Sequence, residues 1–97
     1  MALLVRVDGT KNEIELPKKD PLRELRLLLD CDMIEFLPLV PGAHTLGEYD
    51  GVMSDEEARF TGKPVNELAT KLSGRAPHSN IYHILGDCVF FKDGEIE

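Results

Sequence analysis

The sequence contains no tryptophan and only two cysteines, Cys31 and Cys88. Secreted domains of this size usually contain several cysteines, so a disulfide framework is not expected. At the N-terminus a charged residue, Arg6, follows only a few apolar residues. That run is too short for a secretion signal or a membrane span. The sequence therefore predicts a cytoplasmic protein in which both thiols are reduced and are buried or half-buried.

Positive charge is also scarce, since 11 Lys and Arg residues stand against 18 Asp and Glu residues and give a net charge of −7. The basic residues are scattered along the chain. Binding to nucleic acid by counterion release needs clustered Lys and Arg, so we expect no direct contact with nucleic acid and none with an anionic membrane. Mimicry of DNA needs a dense group of carboxylates, whereas the acidic residues here are spread over the whole chain.

No motif places catalytic or metal-binding residues at a specific spacing. The glycines do not cluster into a phosphate-binding loop, and no Gly-Lys-Ser/Thr run is present. The three histidines, His44, His78 and His83, lack the local pairing of a zinc site. Cys88 lies in an apolar run and Cys31 lies between two aspartates, and both surroundings oppose the thiolate that a nucleophile needs. We therefore expect no cofactor, no metal and no enzymatic activity.

The composition is that of an ordinary globular protein. Of the 97 residues, 42% are hydrophobic and 30% are charged, which separates the chain from disordered sequences. This length is typical of one domain, and no repeat, linker or low-complexity run divides it. We expect residues 1–97 to form a single domain with a thin core.

The first half of the chain predicts a β-hairpin, a helix and a strand. A turn after Asp8 separates two segments in which apolar and polar residues alternate. Asp20 and Pro21 begin a helix, because Asp can cap the first turn and Pro fits the first helical position. The helix ends near residues 30–32, and residues 33–37 form the next strand. The expected core side chains are Leu3, Val5, Val7, Ile14 and Leu16 in the hairpin and Leu22, Leu25 and Leu29 in the helix.

The second half predicts a strand over residues 49–53, an acidic turn over 54–57, a second helix and a closing strand. Pro64 begins this helix and Ser73 precedes the glycine that ends it. The closing strand covers residues 81–85, which include His83, and residues 88–91, and it is interrupted at Gly86 and Asp87. Together the elements predict an α+β fold with a small mixed or antiparallel sheet of about five strands and two helices packed on one face. The apolar stripe of the second helix consists of Val65, Leu68, Ala69 and Leu72.

Asn66 is the most informative polar residue. In the first turn of a helix its amide can clamp a neighbouring loop, and we expect it to hold residues 54–60; contact with a ligand is the alternative. The segment over residues 64–66, in which Val65 and Asn66 have backbone N–H groups, offers an alternative anion site beside Lys63. The polar loops over residues 40–48 and 73–80 are the places where a function would lie. The candidate binding residues are His44, Tyr49, Asp55, Glu56, Lys63, Asn66, Arg75 and His78.

A run of the form Pro-x-Asn-x-x-Ala-Thr over residues 64–70, followed by Gly-Asp-x-Val over 86–89, is more specific than either part alone. With residues 22–39 and the turn 54–57, these segments resemble a family of small proteins encoded by phages and mobile elements, the domain-of-unknown-function family 3846. The chain departs from the family pattern around Cys31, where a glycine pair is usual. The resemblance implies a phage or mobile-element origin and a non-enzymatic accessory role, without a particular activity.

The leading hypothesis is a small non-enzymatic interaction module that binds a host protein and interferes with host defence or regulation. It rests on the absence of a chemical motif, the thin core and the polar loops on a compact scaffold. The alternative is an oligomeric protein that binds and sequesters a small molecule or nucleotide, with Tyr49 or Tyr82 stacking on a base. An uncovered edge of so small a sheet also predicts a homodimer.

Overall fold

A computed structural model describes residues 2–39, 48–74 and 83–92 of the chain. Within these residues the structure contains five strands and three short helices. None of the described helices is long and apolar enough to cross a membrane. In chain order the elements are β1 (Ala2–Val5), β2 (Lys11–Ile14), α1 (Pro21–Leu28), β3 (Ile34–Pro38), β4 (Gly51–Asp55), α2 (Ala58–Thr61), α3 (Glu67–Leu72) and β5 (Cys88–Phe91).

The five strands form one sheet in the order β2-β1-β5-β4-β3, and every neighbouring pair is antiparallel. The last strand lies in the middle, because β5 pairs with β1 on one side and with β4 on the other. β2 and β3 are the two edges. The predicted α+β class and the sheet of about five strands are confirmed, and the described strands are antiparallel rather than mixed.

The two longer helices do not share a face of the sheet, which corrects the predicted arrangement. Helix α1 contributes Leu25 and Leu29 to one cluster of buried side chains, and α3 contributes Ala69 to another. Successive side chains of a strand point to opposite faces, and the central strands are buried on both, so each face needs its own cover. The α1-face cluster contains Ala2, Leu4, Leu16, Leu25, Leu29, Met53 and Val89, and the α3-face cluster contains Val5, Leu39, Val52, Ala69, Ile84, Cys88 and Phe90.

The predicted hairpin forms, but its core face is not the predicted one. Ala2 lies opposite Ile14, and Leu16 belongs to the α1 face. Leu3 and Val5 belong to the α3 face instead. Because β1 lies between two other strands and is covered on both faces, its sequence is a continuous apolar run rather than an alternating one. β2, at the edge, is mostly exposed.

Helix α1 begins at Pro21 as predicted, since a residue without an N–H fits the first turn. The expected cap is wrong, because Asp20 has a left-handed backbone (φ 52°, ψ 58°) and its side chain makes no capping hydrogen bond. A capping residue normally has an extended backbone that brings its side chain over the first N–H groups. Leu25 and Leu29 are buried, so the apolar stripe is confirmed.

The strand in the middle of the chain begins two residues later than the predicted range of 49–53. β4 covers residues 51–55, and all of them are buried. Ser54 and Asp55 therefore end a strand rather than form a solvated turn, and Glu56 and Glu57 are the exposed residues. The turn leads into α2, a helix that the sequence pattern did not reveal, because a single helical turn is too short to show helical periodicity.

Helix α3 starts at Glu67 rather than at Pro64, because Asn66 is its N-cap. Val65 lies before the helix and forms an isolated β-bridge with Leu85. Val65 is therefore not part of the helical stripe, although it follows the predicted spacing. The remaining members of the predicted stripe pack on the α3 face and are Leu68, Ala69 and Leu72.

Gly86 interrupts the closing strand, as predicted. Its φ is +76°, and a Cβ added there would come within 2.9 Å of the Lys63 side chain. Its N–H donates to the carbonyl of Pro64 (2.8 Å). The chain turns at this glycine and resumes extended structure at Cys88, and residues 81–82 of the predicted strand lie outside the described residues.

Candidate functional site

Asn66 is a buried polar centre that joins three parts of the structure. Its side-chain Nδ2 donates to the carbonyl oxygens of Val5 (2.9 Å) and Gly86 (3.0 Å). Its Oδ1 accepts from the N–H of Ala69 (3.0 Å), and its backbone N–H donates to the carbonyl of Ile84 (2.7 Å). Asn66 is therefore a clamp, as the first of the two sequence hypotheses holds, but its partners are these carbonyls rather than the acidic turn.

Thr70 and Ser73 extend this buried polar network. The Thr70 hydroxyl donates to the Asn66 carbonyl (2.8 Å) and accepts from the N–H of Ile84 (3.0 Å). The Ser73 hydroxyl donates to the Thr70 carbonyl (2.9 Å). Because the N–H groups of Asn66 and Ala69 already donate within the chain, they are not free to bind the anion that the sequence suggested there.

Lys63 and Asp55 hold the end of α1 against β4. The Lys63 ammonium is 2.9 Å from Asp55 Oδ2, and it donates to the carbonyls of Leu29 and Asp30, each at 2.9 Å. A cation at these carbonyls favours the C-terminal end of a helix. The Asp55 side chain is 4% exposed, and its Oδ1 accepts from the N–H of Glu57 (2.9 Å). Both predicted binding residues thus have structural partners.

Tyr49 is half-buried, and its ring lies edge-on to Phe90 with ring centroids 5.9 Å apart. It packs against the α3-face cluster, so its ring is part of the core rather than an open platform for a base. The other three predicted binding residues lie outside the described residues, as do residues 40–47 and 75–82 of the two polar loops. These three are His44, Arg75 and His78.

A depression of about 280 Å³ opens on the α3 face among β3, the end of β4, α2 and the residues before β5. Leu37 and Ile84 line it, and both pack in the α3-face core. Two of the predicted binding residues, Asp55 and Glu56, are among its lining residues. We call this cavity the acidic depression. Its polar lining residues are Glu35, Ser54, Asp55, Glu56, Arg59 and His83.

Glu35 and Glu56 give the acidic depression its negative charge, which exceeds the single positive charge of Arg59 in the same lining. Both are exposed, and neither forms an ion pair within the described part of the chain, where the pairs are Arg6 with Asp87 and Lys63 with Asp55. The carboxylate of Asp55 is compensated by that lysine. Two ionised carboxylates at one cavity can accept charge-assisted hydrogen bonds from a cationic group.

His83 brings an unsatisfied nitrogen to the same cavity. Its Nε2 is buried and has no hydrogen-bond partner among the described residues. A buried polar atom without a partner costs about 1–3 kcal/mol, and such atoms are rare in folded proteins. Because His83 lines the acidic depression, a group bound there could supply the missing hydrogen bond.

Large apolar side chains are exposed on the elements that border the acidic depression. Phe60, which follows Arg59 on α2, is 89% exposed. Met33 is 53% exposed, and its carbonyl accepts from the N–H of Glu56 (3.0 Å) just before β3. Exposed aromatic and methionine side chains are enriched at protein-binding surfaces. The cavity therefore has apolar neighbours as well as charge.

Neither cysteine has the surroundings of a nucleophile. Burial raises the pKa of the Cys88 thiol, and the charge of Asp87 raises it further. Burial likewise raises the pKa of Cys31, with a further contribution from Asp55. Both thiols are free, one half-buried and one buried, as predicted. In the described ranges, no group of three or more His, Cys, Asp or Glu side chains could hold a metal ion.

Sequence reasoning identified Asp55 and Glu56 but not the other polar groups of the acidic depression. Glu35 reaches it because the β3–β4 register places this residue opposite Ser54, and no local pattern shows that pairing. His83 was expected to be an ordinary strand residue, yet it lies before β5. The sequence contained one further indication of a binding surface in this region, because Phe60 is an aromatic residue in an otherwise polar stretch.

Comparisons with known proteins assign no family to this fold and site. A scan against protein-family models finds no matching family. Searches of curated proteins and of solved structures find no match either. The resemblance to the domain-of-unknown-function family 3846 stays a prediction.

Proposed function

We propose that this chain is a small non-enzymatic interaction module that binds a host protein in the cytoplasm, and that the acidic depression receives a basic side chain of that protein. The proposal rests on one observation. Two exposed carboxylates without ion-pair partners in the described chain, Glu35 and Glu56, surround the same cavity as the unsatisfied Nε2 of His83.

The chemistry of the cavity favours an arginine of the partner. A guanidinium has several N–H donors in one plane and no acceptor, so it can donate to Glu35 and Glu56 together, and to Nε2 of His83 in the tautomer that leaves this nitrogen without a proton. Lysine offers the same charge without the planar geometry. A cavity of about 280 Å³ is below the usual range for a drug-sized ligand and suits a single side chain.

The charge of the whole chain supports a basic partner. A net charge of −7 attracts a positively charged surface during the encounter and speeds association. The exposed Phe60 and Met33 would supply the apolar contact that an ion pair in water does not provide. We therefore expect binding that weakens as salt concentration rises.

The resemblance to a phage and mobile-element family supports a host protein as the target. Proteins with that origin act inside a host cell, where defence and regulation are the processes they would alter. Identification of the captured protein then shows which process is affected.

Capture from a host lysate tests the proposal. The immobilised wild-type chain is expected to retain a protein that the double variant Glu35→Gln, Glu56→Gln does not retain. Phe60→Ser is expected to weaken the capture. The matched control is Glu13→Gln, since Glu13 is an exposed glutamate on β2, at the opposite edge of the sheet.

Two outcomes contradict the proposal. If the double variant retains the same protein as the wild type, the acidic depression is not the binding site. If the wild type retains no protein at about micromolar concentration, the binding of a host protein itself is wrong.

Sequestration of a nucleotide is the alternative function, and the described residues give it less support. The N–H groups of Asn66 and Ala69 donate within the chain, and Glu35 and Glu56 outnumber Arg59 around the acidic depression, which disfavours phosphate. We expect no thermal shift with nucleotides. A stabilisation of about 2.7 kcal/mol at ~100-fold excess over the dissociation constant would favour the alternative.

A further inference from the structure

The pairing of β3 with β4 shows which backbone groups of this edge strand are used. The carbonyl of Met33 accepts from the N–H of Glu56 (3.0 Å), which continues the register in which Glu35 lies opposite Ser54. Hydrogen-bonded and non-hydrogen-bonded pairs alternate along an antiparallel ladder. The backbone N–H and C=O groups of Glu35 and Leu37 therefore face β4.

The backbone groups of the alternate residues, Ile34, Phe36 and Pro38, consequently face outward. Pro38 has no N–H and occupies a position where a strand tolerates proline. No strand of the described chain pairs with this outer side. Phe36 is 52% exposed although its ring touches Phe91 edge-on, with centroids 5.9 Å apart.

We infer that β3 pairs in antiparallel fashion with β3 of a second copy of the chain, centred on Phe36. In this register Phe36 of each copy donates its N–H to the Phe36 carbonyl of the other. The Ile34 N–H of each copy donates to the Pro38 carbonyl of the other, and because Pro38 has no N–H, each such pair forms one hydrogen bond instead of two. The two five-stranded sheets then form one continuous sheet across a two-fold axis.

Side-chain chemistry favours this register over its neighbours. It places the two half-exposed Phe36 rings side by side, which is a stabilising cross-strand pair. Glu35, the single charged residue between Ile34 and Pro38, lies opposite Leu37 of the second copy. Moving the two-fold centre to Glu35 would place like charges opposite each other. Moving it to Leu37 would replace the Phe36–Phe36 pair with Phe36 opposite Pro38.

The other edge of the sheet lacks these features. β2 exposes Lys11 and Glu13 and no large apolar side chain, and charged residues on an edge strand discourage pairing. The inference does not rest on the proposed function, because it is argued from the backbone of β3 and from Phe36, which lies on the α1 face.

Sedimentation analysis of the full chain tests the dimer. Its mass is expected to rise from 10.9 kDa toward twice that value between about 10 µM and about 1 mM, the range of weak association. Phe36→Lys should raise the dissociation constant about tenfold or more, since it removes the aromatic pair and places like charges opposite each other. Phe36→Pro removes the outward N–H as well as the aromatic ring and should act in the same direction.

The matched control for the proline variant is Glu13→Pro. The Arg6 N–H donates to the Thr10 carbonyl, so the alternation along β1–β2 points the Glu13 N–H outward as well. This variant should leave the dimer unchanged. A wild-type mass of 10.9 kDa at every concentration overturns the inference, and so does a dimer that both Phe36 variants leave intact.

Disulfide trapping tests the register. In a Cys31→Ser background, Phe36→Cys should form a dimer crosslink on mild oxidation, because directly opposite residues have Cα atoms about 5.5 Å apart. Glu35→Cys should not, because the two Glu35 positions are offset along the strands. Crosslinking of Glu35→Cys instead of Phe36→Cys, or of neither, overturns the inferred pairing.

Discussion

The buried polar network around Asn66 and the acidic depression lie in the same small domain and differ in how their polar groups are satisfied. Each side-chain group of Asn66 has a partner within the chain. In the acidic depression, Glu35 and Glu56 form no ion pair with a described residue, and Nε2 of His83 has no described partner. A network satisfied from within stiffens the fold, whereas open groups around a cavity are available to bind.

Substitutions around Asn66 should therefore lower the stability of the fold, whereas substitutions in the acidic depression should abolish binding and leave the fold intact. A domain of this size is stabilised by only about 5–15 kcal/mol, so the loss of one buried polar centre is a large fraction of the total. Exposed carboxylates contribute little to stability. Variants in the two regions therefore test the comparison directly.

The largest effect is expected from Asn66→Ala. It leaves the carbonyls of Val5 and Gly86 and the N–H of Ala69 without their partner. Because an unsatisfied buried group costs about 1–3 kcal/mol, the free energy of unfolding in urea should fall by at least about 3 kcal/mol. Asn66→Asp keeps the acceptor that caps the helix but has no donor for the carbonyls of Val5 and Gly86. This variant should also be strongly destabilised. A loss below about 1 kcal/mol for the alanine variant contradicts the role given to Asn66.

Lys63→Met should cost about 3 kcal/mol, because it leaves the buried carboxylate of Asp55 without its cation. Adding Asp55→Asn to this variant should restore part of the loss, since no uncompensated charge then remains. Lys71→Met is the control, because Lys71 is exposed on α3, and its change should stay within about 0.5 kcal/mol. Equal destabilisation by the two lysine variants would show that the Lys63–Asp55 pair has no structural importance.

Alkaline pH should weaken the interior through Cys88, whose Sγ is 4.0 Å from Asn66 Nδ2. Burial raises the pKa of Cys88 above its ordinary value of 9.0, so the unfolded thiol ionises above about pH 9 while the folded thiol stays protonated. Below pH 9 the thiol is protonated in both states and does not lower the free energy of unfolding. Above pH 9 the free energy of unfolding falls by at most about 1.4 kcal/mol per pH unit, because only the unfolded thiol loses its proton. Urea unfolding at several pH values should show a shallower decline for Cys88→Ala. An identical pH dependence would contradict the assignment to this thiol.

The smallest effect on stability is expected in the acidic depression. Glu35→Gln and Glu56→Gln should each change the free energy of unfolding by no more than about 0.5 kcal/mol, although together they abolish capture of the host protein. Urea unfolding of the same samples used for capture separates the two readouts. Strong destabilisation by either variant would mean that the depression is part of the fold rather than a binding site.

The sequence predicted the positions of helices and strands along the chain better than it predicted which of them pack together. The start of α1 at Pro21 and the stripe of Leu25 and Leu29 were visible because helix signals are local. The placement of helices on both faces was not predicted, because the short strand β1 was interpreted as buried on one face only. Asn66 was recognised as a clamp, but its partner Val5 is distant in sequence and depends on the finished sheet.

The candidate site was harder to predict for the same reason. Asp55 and Lys63 attracted attention as charged residues, yet each has a structural partner that no spacing reveals. Glu35 and His83 come from separate segments, and only the folded chain brings them to one cavity. The polar character of a residue was readable from sequence, but whether its groups are satisfied depends on long-range contacts.

A nuclear magnetic resonance titration with N-acetyl-argininamide can show whether the acidic depression receives a basic side chain, with the neutral N-acetyl-norleucinamide as the matched probe. Saturable chemical-shift changes at His83 and Glu56 are expected with the arginine probe alone, and these changes should be lost in the Glu35→Gln, Glu56→Gln variant. Absence of these shifts, or equal shifts with the neutral probe, would contradict a cavity built to receive a basic side chain.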